Sequence, residues 1–250
     1  MYLIFLPEGL TLNIFCDTLW GMIKENLTRL RQDFAQACRN SGRKPEDITL
    51  VGVTKFVDIP SIQEAISAGL SHIAENRVQE AEKKFPQLLK DNPQLKCHLI
   101  GHLQSNKAKD AIAVCELIQS VDSLKLALEV EKQAVKLNKQ VDILLQFNTA
   151  EEPQKFGASK AEAMTLVEAV AKLSRVRVLG LMAMAPFTED QGIIRKAFAD
   201  LRGIKELIVN NFSGHPNIEM KYLSMGMSSD YKIAIEEGSN MVRVGSALFK

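Results

Sequence analysis

Lys55 closes the run ITLVGVTK (48–55), an apolar, β-branched stretch that stops on an amine. An amine held against apolar surroundings loses its charge readily and can condense with a carbonyl as a Schiff base. The same side chain can equally bury its stem and keep its ammonium in water. Arg243 is a second anomaly, since it interrupts the apolar run MVRV (241–244). A guanidinium cannot be discharged and is costly to bury alone, so it demands an acceptor, either a protein carboxylate or a ligand atom. Two further stretches are rich in small and hydroxyl-bearing residues: LSMGMSSD (223–230) and the pair Gly245-Ser246. Gly226 permits close backbone approach, and Ser228 or Ser229 is suited to cap a following helix. Serine and glycine also make ordinary turns, so neither loop alone specifies a ligand.

The elements that carry these residues alternate. Ile48–Lys55 reads as a strand buried on both faces, the habit of parallel sheets. Ahead of it, Ile23, Leu27, Leu30, Phe34 and Ala37 recur at helical spacing over Met22–Asn40, with Ser41-Gly42 as a stop. After it, strands are predicted at His72–Asn76, Lys96–His102, Cys115–Asp122, Gln140–Asn148, Val176–Met184, Ile218–Met225 and Asn240–Phe249. Amphipathic helices separate them. Eight strand–helix units in one chain without a flexible linker predict a single TIM-type (β/α)8 barrel with an N-terminal helix before the first strand; a doubly wound open sheet is the alternative. The barrel domain spans 22–250. Residues 1–21 are apolar but interrupted by Pro7, Glu8, Gly9 and Asp17, with no basic leader, so they fit neither a signal peptide nor a membrane span. They read as an extension, or as the product of a start assigned upstream of Met22.

In such a barrel one face collects Lys55, Asn76, His102, Asp122, Asn148, Met184, the loop from Ser224 to Ser229, and Gly245-Ser246. Loops after the seventh and eighth strands often bind phosphate. A Schiff-base lysine, a phosphate cradle and an arginine together match the aldehyde, phosphate and pyridine nitrogen of pyridoxal 5′-phosphate. No G-x-G-x-x-G follows the first strand and no Walker A motif occurs, which removes the usual dinucleotide and nucleotide signatures. His98 and His102 lie four apart, about 13 Å along a strand, too far to share a metal ion. His72 and His215 have no evident companions. A net charge of +1 without a basic stripe gives no case for nucleic acid or an anionic membrane. The four cysteines are scattered without C-x-x-C, which suits reduced thiols in a cytoplasmic protein.

LVGVTK ending on Lys55, IAENRVQE (73–80), HLIGHLQSNK (98–107), RVLGLMAM (177–184) and LSMGMSSDYKIAIEEGSNMVRVGSALF (223–249) together resemble the pyridoxal phosphate homeostasis proteins. That family is typified by the bacterial YggS proteins and the human proline synthetase co-transcribed homologue. The resemblance covers nearly all of 22–249. It implies a barrel like the N-terminal domain of alanine racemase, with Lys55 as the aldimine lysine, Asn76 lining the ring and Arg243 near the pyridine nitrogen. It places Ser224, Gly226, Met227, Ser228, Gly245 and Ser246 around the phosphate. The implied role is to carry or buffer the cofactor in vitamin B6 balance, with PLP-dependent apo-enzymes as recipients and no reaction of its own. The alternatives are a weak amino-acid racemase and, from another class, a Schiff-base aldolase acting on a phosphorylated sugar. Tyr222 and Tyr231 fall inside a strand and a helix, so neither supplies the second acid–base group a racemase needs, and nothing demands more than a monomer. One departure is that Phe56-Val57-Asp58 follows the lysine, where relatives commonly carry a second lysine or a proline.

Overall fold

Short, mostly buried runs become parallel strands in the computed structural model, which describes residues 14–150, 152 and 154–250. The strands are β1 (Thr49–Val53), β2 (His72–Glu75), β3 (Lys96–Leu99), β4 (Leu117–Val121), β5 (Val141–Gln146), β6 (Val176–Met182), β7 (Ile218–Ser224) and β8 (Met241–Val244). They close in chain order, with β8 pairing with β1 from Thr49↔Met241 to Gly52↔Val244. Parallel neighbours need a crossover, and helices supply it. These are α2 (Ile59–Ser67), α3 (Val78–Asp91), α4 (Ala108–Val114), α5 (Leu124–Leu137), α6 (Ala163–Ala171), α7 (Gln191–Phe212) and α8 (Tyr231–Glu236), flanked by α1 (Ile14–Asn40) and α9 (Ser246–Phe249). The result is the predicted (β/α)8 barrel with a leading helix.

Apolar packing occurs in two shells. Val51, Ala74, Leu117, Leu144 and Met241 meet inside the barrel. Outside it, α1 lays down Ile23, Leu27, Leu30, Phe34 and Ala37, all buried, beside the outward-facing Ile73 and Val242. Each large side chain so buried contributes on the order of 2 kcal/mol. Among the described residues no helix is long and apolar enough to cross a membrane.

Three expectations change. First, α1 begins at Ile14 rather than Met22. Gly21 is the weakest helix former near the predicted start, and one glycine costs a helix interior only about 1 kcal/mol. Of the predicted extension, residues 1–13 lie outside the described residues. Second, the predicted strand Asn240–Phe249 divides: β8 ends at Val244 and Ser246–Phe249 coil into α9. Leu248 is buried there, and Asn26 on α1 donates to the Leu248 and Lys250 carbonyls at 3.1 and 3.2 Å. That side-chain contact satisfies two of the acceptors a terminal helix leaves open. Third, the strands stop short, so Lys55, Asn76 and His102 stand on the loops after β1, β2 and β3. The functional face is thus made of loops carried by strand ends.

Candidate functional site

Lys55 leaves the barrel from a clamped peptide. Thr54, wholly buried, donates its hydroxyl to the Ala74 carbonyl at 3.1 Å and to Glu75 Oε1 at 2.7 Å. Lys84 on α3 then donates to the Thr54 carbonyl at 2.9 Å and to Glu75 Oε1 at 2.8 Å. Glu75 is fully buried, and a buried carboxylate persists only when paired. Immediately after Lys55, Phe56 takes φ 64°, a left-handed conformation that costs a phenylalanine on the order of 1–2 kcal/mol. The exposed Lys55 is therefore held by its neighbours' backbone rather than by packing of its own side chain.

It opens onto a cavity of about 580 Å³ at the C-terminal ends of the strands. Of the predicted site residues, Lys55, Asn76, Met227, Ser228, Arg243, Gly245 and Ser246 line that cavity together. Ser224 and Gly226 do not. Ser224 is fully buried beneath it, with its hydroxyl accepting from Arg243 at 2.6 Å. Gly226 shapes the loop from behind, at φ 95°, where an added Cβ would lie 2.6 Å from the Ala234 Cβ. The positive φ and the packing against α8 both call for a glycine there. Asn76 is fixed by a second close approach, since a Cβ at Gly101 would sit 2.0 Å from the Asn76 carbonyl oxygen.

The two small-residue loops converge. Ser228 Oγ accepts from the Ala247 amide at 3.3 Å, tying the loop after β7 to the start of α9. Neither Ser228 nor Ser229 caps α8, as the sequence had suggested. Asp230 precedes that helix and accepts from the Met227 amide at 2.6 Å instead. Burial holds the Asp230 carboxyl above the usual carboxylate range.

Arg243 is 3% exposed. Its Nη1 donates to Ser224 and its Nη2 to the Ala183 carbonyl at 2.9 Å. Among the described residues no carboxylate lies within ion-pair distance, although the more distant Asp230 favours its charge. Burial lowers its pKa to about 10, so it remains a cation at neutral pH. A guanidinium carries five N–H donors, and only two are matched here by protein acceptors. The residues present fit pyridoxal phosphate on that ground: a buried cation with unmatched donors lines the same cavity as an exposed lysine and two hydroxyl-bearing loops.

Sequence reasoning missed several walls of the cavity. Gln146, Phe156 and Phe187 border it, the last fully exposed. His102 borders it as well, stacked on Phe156 with ring centroids 3.8 Å apart and with Nδ1 3.2 Å from Asp122 Oδ2. His102 and Asp122 both stand in the predicted set of strand-end residues, the one available signal of that pair. A second cavity, about 480 Å³, lies at the opposite end between α1 and the starts of β1 and β2, and holds none of the predicted residues. Among the described residues no cluster of metal-ligating side chains occurs.

The profile of the alanine racemase N-terminal domain family matches residues 26–250. A relative from Aquifex aeolicus named pyridoxal phosphate homeostasis protein is 38% identical over 225 residues, covering 90% of this chain and 96% of its own. A crystal structure of an unknown protein from Bifidobacterium adolescentis superposes with a TM-score of 0.89 at 34% identity, covering 93% of this chain and 96% of that one. PipY of Synechococcus elongatus, solved with PLP bound, superposes with a TM-score of 0.79 at 34% identity, covering 91% and 100%. With a similar fold, a similar length and this level of identity, the chain belongs to the pyridoxal phosphate homeostasis proteins, the family whose barrel is the alanine racemase N-terminal domain.

Proposed function

We propose that this protein binds pyridoxal 5′-phosphate on Lys55 and holds it for intracellular vitamin B6 homeostasis, without a strong catalytic activity of its own. The observation that carries this reading is Arg243, a buried cation with no carboxylate within ion-pair distance among the described residues, bordering the same cavity as Lys55. The relatives' name and the PLP in PipY support it. Pyridoxal phosphate supplies an aldehyde that condenses with an amine, a phosphate dianion, and a ring nitrogen whose protonation governs electron withdrawal.

Lys55 provides the amine. Met227, Ser228, Gly245 and Ser246 surround the phosphate, with Ser224 and Gly226 supporting the loop from beneath. Asn76 lines the ring. Arg243, a permanent donor, meets the ring nitrogen and keeps it unprotonated, which weakens the electron sink that transamination requires. Tyr231 is turned away from the cavity and donates to Asp33 on α1 at 2.6 Å, so it offers no acid–base group. In this reading residues 22–250 form the cofactor domain, residues 1–21 an extension, and the protein acts as a cytoplasmic monomer that passes PLP to apo-enzymes.

One observation favours the weak racemase as a second reading: the His102–Asp122 pair borders the cavity and supplies a group able to move a proton. Two measurements separate these. Apo-protein incubated with PLP should turn yellow, and borohydride reduction with peptide mapping should mark Lys55; Lys55→Ala should stay colourless. A wild-type protein that takes up no PLP would refute both readings. Exchange of the amino-acid α-proton in deuterated water, abolished in His102→Phe, would favour the racemase.

A further inference from the structure

A line of polar side chains runs through the barrel interior from the mouth to the far end. Arg243 Nη1 meets Ser224 Oγ at 2.6 Å, and Ser224 Oγ meets Gln119 Oε1 at 2.6 Å. Gln119 Nε2 meets His98 Nδ1 at 2.7 Å, and His98 Nε2 meets His72 Nδ1 at 3.0 Å. Ser224 and Gln119 are fully buried, and His98 is 2% exposed. These residues come from β8, β7, β4, β3 and β2.

The direction of every bond follows from which atoms can donate. Arginine only donates, so the Ser224 oxygen accepts from it and spends its own proton on Gln119 Oε1. The Gln119 amide nitrogen has no acceptor capacity, so it donates to His98 Nδ1, which must then be bare. A neutral His98 carries its proton on Nε2 and donates it to His72 Nδ1. Turning the Gln119 amide over would put three protons between Arg243, Ser224 and Gln119. The Ser224 proton would then lack an acceptor, which leaves a buried donor unsatisfied. Burial and the nearby Lys96 favour neutral imidazoles at both histidines, with Lys221 adding to the effect at His72.

We propose that Gln119, His98 and His72 are positioning residues for Arg243: a one-directional hydrogen-bond chain that fixes the guanidinium where it meets the cofactor's ring nitrogen. The proposal rests on the reading of the mouth as a pyridoxal phosphate site. Ser224 touches the arginine directly. Gln119 determines which way the Ser224 hydroxyl points, and the histidine pair determines which way Gln119 points.

Two measurements test it, one of which needs no cofactor. Nitrogen-15 NMR of the apo-protein at neutral pH should show Nδ1 bare and Nε2 protonated on both His98 and His72. PLP titration of Gln119→Met, which keeps size but removes the hydrogen bonds to Ser224 and His98, should give a dissociation constant about tenfold higher than wild type. Its bound cofactor's visible band should also be displaced, because the ring nitrogen then meets a mobile donor. Wild-type affinity with an unmoved band in Gln119→Met would overturn the proposal, and so would a proton on His98 Nδ1 in the unmodified protein. If Gln119→Met does not fold, the tautomer measurement decides alone. A wild-type protein that takes up no PLP would sink the reading of the mouth, while the apo-protein tautomers would still decide the chain.

Discussion

Lowering the pH from 7 to 5 should destabilise this protein through His98 and His72. Both are held neutral in the fold, with burial as the first cause: the His98 pKa is pushed down to about 3 and the His72 pKa to about 4. In the unfolded chain each titrates near 6.5. The unfolded state therefore binds more protons below pH 6.5. This contribution to stability is intact above that pH and is lost as the pH falls towards 4 and 3. At pH 5 the unfolded pKa lies about 1.5 units above the solvent pH, which at 1.36 kcal/mol per unit amounts to about 2 kcal/mol for His98. His72 is partly exposed, so about 1 kcal/mol is the fairer figure for it. Carboxylates with lowered pKa values, such as Asp33 and Asp58, stay ionised in both states over this range and add little. Asp230 is shifted upward and works weakly in the opposite sense. Urea unfolding at the two pH values should thus differ by about 3 kcal/mol. His98→Gln should shrink that difference by about 2 kcal/mol whatever it does to absolute stability. A wild-type difference below about 1 kcal/mol, or an unchanged difference in His98→Gln, would refute the neutral buried pair.

Other expectations follow from the same geometry. Lys84→Met leaves Glu75 buried without its cation, so thermal or urea unfolding should register a loss of about 3–5 kcal/mol. Gly101→Ala places a Cβ against the Asn76 carbonyl, and PLP titration should show weaker uptake because the Asn76 loop must move. Cys97, whose thiol burial pushes up to about 12, should resist alkylating reagents in the native protein and react only on unfolding. Asp142→Ala breaks a bidentate pair with a half-exposed Arg177 and should cost no more than about 1 kcal/mol in urea unfolding.

The barrel was legible because it is written in local patterns. Apolar strand runs and amphipathic helices alternate at short range, and each is recognisable without knowing its neighbours. Lys55 and Arg243 were legible for the opposite reason, since each breaks a pattern that burial alone would have kept apolar. What stayed hidden depends on closure. His72 and His98 are 26 residues apart, and nothing local distinguishes a histidine that will face a second histidine across adjacent strands from one that will face water. Gln119 sits in a strand whose neighbours are all buried, yet its partners are on β3, β7 and β8, 21, 105 and 122 residues away. The α9 segment SALF was read as strand because its composition is apolar, and only its docking on Asn26 and the α1 face decides for helix.

The division between a holder and a catalyst turns on where the barrel has placed its rigidity. Arg243 is anchored at both terminal nitrogens to protein acceptors, and the peptide before Lys55 is clamped by Thr54, Glu75 and Lys84. The groups that would define the cofactor's ring and attachment point are therefore preorganised. The side that a substrate would approach is not: Phe187 stands free in solvent, and His102 leans on Phe156, which is itself half exposed. A racemase needs two proton-transfer groups set within hydrogen-bond reach of one carbon on opposite faces, and in a mouth with exposed walls such precision is hard to keep. A carrier needs the reverse, a firm seat below and open access above. The arrangement of buried and exposed groups around this cavity has that polarity.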